Sequence, residues 1–330
     1  MSDPRSGSDL TRRSLLKAAG AVSAAAVTAT VIGVGATPAE ASTTAGESAH
    51  RPAGHPEATP RVAGLHTQFG ADAATEVTVS WHTPHPVRYP QVLVARDGAR
   101  HERTVRAESK SYVDAASGTT VHAYHAAITG LKPASDYQYV AVHAGAQPES
   151  GSFRTGPAGR SAFTFTSFGD QGTPTVGKKY VPPAGVTLAN PPYVNDNLGS
   201  PAAGDTTAGV ERVAPLFHLF NGDLCYANLA QDRVRTWADF WENNSRSARH
   251  RPWMPSAGNH ENELGNGPIG YRAYQTYFSV PRTPGQTPDT NGLWYAFTVG
   301  SVRVISLAND DVCYQDGGNS YVRGLSLIHI

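Results

Sequence analysis

An apolar run at residues 215–220 breaks at Asn221-Gly222, and a carboxylate, Asp223, follows at once. Such a run reads as a buried strand of an α/β sheet. Ligands of these sheets collect beyond the strand ends, so Asp223 is expected at the rim rather than in the core. Tyr226, three residues on, can turn back to the same point. A carboxylate and a phenol together offer hard oxygen donors to a metal ion. Taken alone, Gly-Asp-x-x-Tyr fits a structural turn better than a site.

Two other stretches repeat the design. Residues 163–172 form an alternating apolar strand that ends in Gly169-Asp170-Gln171-Gly172. Residues 253–261 end in Gly258-Asn259-His260-Glu261. Three strand ends thus deliver Asp170, then Asp223 with Tyr226, then Asn259 with His260. This ordered trio resembles the calcineurin-like metallophosphoesterases, and Tyr226 narrows the resemblance to the purple acid phosphatases. Three of that family's motifs are matched: Asp-x-Gly, Gly-Asp-x-x-Tyr and Gly-Asn-His-(Asp/Glu).

The resemblance implies a secreted hydrolase of phosphate esters, an acid phosphomonoesterase using a metal-bound hydroxide. Anionic ester oxygens repel a nucleophile, and two metal ions about 3.5–4 Å apart overcome this. By resemblance Asp223 bridges the pair, Asp170 and Tyr226 bind the first metal, and Asn259 binds the second. A phenol titrates near 10, so a ligating tyrosinate wants a strong Lewis acid. Fe(III) fits there, with Fe(II), Zn(II) or Mn(II) beside it. His260 would contact phosphate or protonate the leaving oxygen, and Glu261 would support the turn or hold His260. The family's later motifs, a lone His and Gly-His-x-His, have no counterpart here. His218, His250 and His329 are not in matching contexts, and His218 is expected to pack within the sheet. This 330-residue stretch is therefore expected to bind metal weakly and hydrolyse little.

The elements that must position these residues follow two patterns. Residues 61–157 read as all-β: residues 77–81 alternate, Asp97-Gly98 marks a turn, and residues 122–128 alternate again. Leu131-Lys132-Pro133 followed by Tyr137-Gln138-Tyr139 resembles the tyrosine corner of fibronectin type III sandwiches. About seven short strands are expected there, with Trp81 in the core. The larger purple acid phosphatases carry such a module before the catalytic domain, and a spacer role without ligand is expected. Residues 161–324 read as the first half of a metallophosphoesterase α/β/β/α sandwich, incomplete for lack of its later part. Helices are expected at 207–214, 230–246 and 271–278, with a hairpin over 293–307 as part of the sheet. The Gly- and Pro-rich loop at 173–205 would select the leaving group.

Residues 1–41 carry Arg12-Arg13, a mildly apolar run and Ala39-Glu40-Ala41, resembling a cleaved twin-arginine signal. Engagement of that export machinery and an extracytoplasmic location are expected. Residues 42–60 read as a disordered linker. Residues 325–330 match what transposase adapter DNA encodes, so the natural gene is expected to continue past 324. Cys225 and Cys313 are a possible disulfide. Balanced charge, 27 basic against 27 acidic residues, gives no sign of a nucleic-acid-binding surface. The rivals to the monoesterase are a phosphodiesterase or nucleotidase on the same site, and a non-catalytic surface-binding protein.

Overall fold

The computed structural model describes residues 59–173, 203–230, 232–263 and 270–308. Expectations for the signal, the linker, most of the 173–205 loop, Cys313 and the last residues lie outside them.

Eight strands form the first unit. β1 (Ala63–Phe69), β2 (Val77–Thr83), β5 (Glu108–Val113) and β6 (Thr120–Ile128) make one antiparallel sheet in the order β1-β2-β6-β5. β3 (Gln91–Arg96), β4 (Arg103–Arg106), β7 (Asp136–Val142) and β8 (Glu149–Arg154) make the other, β4-β3-β7-β8. This is a β-sandwich with one strand more than the sequence suggests, because the short, exposed β4 has no apolar alternation to betray it. Trp81 is fully buried against Tyr124, with ring centroids 5.5 Å apart. The tyrosine corner is present: the Lys132 amide donates to the Tyr137 hydroxyl at 2.8 Å.

The second unit is built on a parallel sheet. β9 (Phe165–Phe168), β10 (Phe217–Asn221) and β11 (Trp253–Ser256) lie in the order β11-β10-β9. Parallel strands deliver all three C-terminal ends to one edge, where Asp170, Asp223 and Asn259 follow. Helix α1 (Ala203–Glu211) precedes β10, helix α2 (Arg233–Ala248) precedes β11, and helix α3 (Arg272–Tyr277) follows it. α2 starts three residues later than its periodicity suggests. Asp232 caps it, accepting from the Arg235 amide at 2.9 Å, while Ala227–Leu229 closes a separate 3-10 turn. α2 buries Trp237, Phe240 and Trp241. His218 is wholly buried in β10, between Thr166 and Glu211.

The hairpin of β12 (Trp294–Val299) and β13 (Val302–Leu307) turns at Gly300-Ser301 but forms its own two-stranded sheet. It was expected to extend the parallel sheet. Pro255 on β11 explains the difference, since it has no N–H to offer a further strand. Its carbonyl accepts from Tyr274 at 3.0 Å and from Tyr295 at 2.8 Å. That edge is closed by phenols instead of a neighbouring strand.

The two units share one apolar interior. The sandwich core, with Leu65, Phe69 and Trp81, runs on into Phe217, Met254 and Phe297. β1 lies along α2, and the Thr67 hydroxyl donates to the Ala248 carbonyl at 2.9 Å. No described helix is long and apolar enough to cross a membrane.

Candidate metal centre

Three strand ends can meet only if their backbones approach closely, and glycines allow this. A Cβ on Gly222 would lie 2.8 Å from the Gly258 Cα, and Gly222 has a φ of +84°. A Cβ on Gly258 would lie 2.3 Å from an Asp223 carboxylate oxygen. The glycine of each motif is thus the contact surface between neighbouring strand ends.

The side chains that follow converge. The Tyr226 hydroxyl donates to Asp170 Oδ1 at 2.8 Å. Asp223 lies close enough to Asp170 for the two carboxyls to act on one another, and its Oδ1 accepts from the His260 amide at 3.1 Å. The His260 ring lies 4.5 Å from the Tyr226 ring. Its Nδ1 is 3.0 Å from the Asn228 side-chain oxygen, a geometry that makes Nδ1 the donor and turns Nε2 away. Asn259 opens the 3-10 turn Asn259–Glu261 at the same edge.

Asp170, Asp223 and Tyr226 have φ of 52°, 51° and 58°, three of the six non-glycine residues in left-handed backbone among those described. That conformation costs a tyrosine about 1–2 kcal/mol and is held only where the surroundings impose it. Three polar side chains in that conformation adjoin one another at this sheet edge.

The electrostatics agree. Burial, then the charge of Asp170, raises the Asp223 carboxyl against the pull of His260. Burial, the hydrogen bond to Asp170 and the charge of Asp223 hold the Tyr226 phenol protonated well above its usual range. A cation placed there would relieve the same crowding. Two carboxylates and a phenol therefore fit one hard cation. Among the described residues, no three or more His, Cys, Asp and Glu side chains gather as a metal-binding group. The second position is left with Asn259.

Glu261 does not hold His260. It is buried and accepts three backbone N–H bonds: Asp223 at 2.8 Å, Leu224 at 2.7 Å and Gly258 at 2.8 Å. It clamps the Asp223 loop to the Gly258 turn. Burial and the charge of Asp223 push its carboxyl up to about 8 despite those bonds. Asn228, which orients His260, was missed by sequence reasoning, although it stands only two residues beyond Tyr226. Gln171 was missed too. It donates to the Ala203 carbonyl at 2.9 Å and to Thr207 at 2.7 Å, and exchanges bonds with Asn244, tying the Asp170 loop to α1 and α2. Cys225 is a buried thiol, free among the described residues.

A family model described as the N-terminal domain of purple acid phosphatase matches residues 62–155. An uncharacterized protein of Mycobacterium tuberculosis is 57% identical over 303 residues, 92% of this chain and 55% of that protein. A purple acid phosphatase of Glycine max is 35% identical over 99 residues, 28% of this chain and 20% of its own. The structure of purple acid phosphatase PPD1 from yellow lupin (Lupinus luteus) seeds superposes with a TM-score of 0.58 at 18% identity. That match covers 82% of this chain and 49% of the lupin chain and speaks to the fold. The N-terminal β-sandwich is thus of the purple acid phosphatase type, and it stands ahead of an α/β unit. The chain spans about half the length, 55%, of the mycobacterial relative.

Proposed function

We propose that the protein is a secreted, metal-dependent phosphoric ester hydrolase, acting most readily on monoesters. The observation that carries this is the meeting of Asp170, Asp223 and Tyr226 at one sheet edge, all in left-handed backbone.

A bound cation would neutralise the ester's charge and supply a nucleophilic oxygen near neutral pH. Asp170, Tyr226 and Asp223 would hold it, with Asp223 shared toward a second ion beside Asn259, in the iron and divalent-metal pairing that the motifs suggest. His260 faces the same edge with Nε2 free of the Asn228 bond. It can carry a proton to the leaving oxygen. Asn228 fixes the imidazole tautomer, and Glu261 holds the two strand ends in register. The phosphate ester is the partner, and the Arg12-Arg13 stretch with the small-residue site at 39–41 supports a location outside the cytoplasm.

Metal titration tests this reading. The wild-type chain should bind Fe(III) or Mn(II) saturably but weakly, since the family's later histidine motifs have no counterpart in it. Asp223→Asn should bind it far more weakly, beyond the roughly tenfold to hundredfold that loss of a ligand's supporting partner costs. Equal binding by the variant contradicts the site and favours a non-catalytic surface protein. Parallel hydrolysis of p-nitrophenyl phosphate and its bis ester separates the monoesterase from the phosphodiesterase.

A further inference from the structure

A cavity of about 710 Å³ opens between the sandwich and the α/β unit, lined by Lys110 and Ser111 of β5, Arg272 of α3, and Arg282, Thr283 and Thr287 of the segment that follows. None of its lining residues belongs to the metal centre. No acidic side chain lines it among the described residues.

Three cationic groups face this space. Lys110 reaches across the junction and donates to the carbonyls of Gln275 and Phe278, both at 3.2 Å, leaving one ammonium hydrogen unused. Arg272 pairs with Asp289 at 2.9 Å through one nitrogen, leaving other donors of its planar fork. Arg282 is exposed and lies close enough for its charge to act on Lys110. Burial, then the charge of Arg282, lowers Lys110 to about 8, against the opposing pull of Glu108. Like charges held together around an open space, one of them desolvated, are what an anion relieves. Arginine forks and an ammonium, with hydroxyls alongside, suit tetrahedral oxyanions better than flat carboxylates.

We propose that this cavity binds a tetrahedral dianion of the phosphate class, either inorganic phosphate or the phosphate group of a small ester, at a site separate from the metal centre. Isothermal titration of inorganic phosphate into metal-free Asp223→Asn protein tests it, because the rim cluster is then disabled. Saturable one-site binding is expected, and Arg282→Glu should weaken it by roughly tenfold or more, the cost of one charge-assisted bond. Arg282 is on the surface, so that variant keeps its fold; Lys110→Met should weaken binding in the same way. Glucose 6-phosphate should compete, and whichever of the two binds tighter identifies the source of the anion. Three results would overturn the proposal: no saturable binding in the Asp223→Asn background, indifference to Arg282→Glu, or acetate binding as tightly as phosphate. Phosphate binding lost through Asp223→Asn alone would place the anion at the rim, leaving the metal-centre reading intact.

Discussion

Asp223 and Glu261 divide the work at the sheet edge. Asp223 offers its carboxylate outward, while Glu261 spends its own on three backbone N–H groups. Replacing Glu261 by Ala orphans those donors in a buried place. Each costs about 1–3 kcal/mol, so a loss of several kcal/mol is expected, read as a large drop in thermal midpoint. Glu261→Gln keeps part of the acceptor set and should recover part of the loss. If Glu261→Ala melted like the wild type, the clamp would be wrong. Tyr226→Phe should behave differently, leaving stability nearly unchanged while weakening metal binding. The motif residues were legible because their signal is local: glycine and a donor stand directly after an apolar run. The clamp was not legible. Two of its three bonds join residues 38 and 37 positions apart, and nothing in Gly-Asn-His-Glu tells a buried Glu from an exposed one. Left-handed backbone at Tyr226 also leaves no trace in composition.

Element positions were read well where a strong period met a clear stop. β10, α2 and the β12–β13 hairpin fall within a few residues of expectation. The exact start of α2 is set by its own cap, Asp232, and the hairpin's sheet was misplaced because distant phenols close the Pro255 edge. At this scale the glycine contact is the sharpest test. Gly222→Ala adds a Cβ against the Gly258 Cα and forces alanine into a φ of +84°. The backbone conformation alone costs about 1 kcal/mol or more, and the clash must separate two strand ends. Both a lower thermal midpoint and weaker metal binding are expected. Gly209→Ala, in α1 with nothing near its Cβ position, should instead stabilise by up to about 1 kcal/mol.

Across the whole molecule, the seam between the two units is sensitive to acid. His66, His82 and His125 are buried there, with His66 and His125 hydrogen-bonded to the carbonyls of Tyr277 and Thr276 at 2.9 and 3.0 Å. Burial lowers His66 to about 4, lowers His82 to about 3 with help from His66 and Arg61, and holds His125 well below its usual range, with Lys110 adding to the shift. The folded protein keeps these rings neutral where the unfolded chain, near 6.5, takes up protons. Their contribution is complete above pH 6.5 and is lost as pH falls toward 4 and then 3, at about 1.4 kcal/mol per pH unit for each proton. Glu261, raised to about 8, acts in the opposite sense as pH rises from 4.5 to 8. The histidines are therefore isolated by comparison. Stability in His82→Leu should depend less steeply on pH between 6.5 and 4 than in the wild type, and identical slopes would refute the assignment. No sequence pattern marked this seam, because the three rings come from separate strands and meet partners more than 150 residues away.

Anomalous diffraction from crystals soaked in Mn(II) tests the metal centre most directly. A peak roughly 2.0–2.3 Å from the oxygens of Asp170, Asp223 and Tyr226, a distance typical of carboxylate-bound metal ions, is the expected result. Saturating metal with no peak there, or a peak only among other side chains, would contradict the assignment.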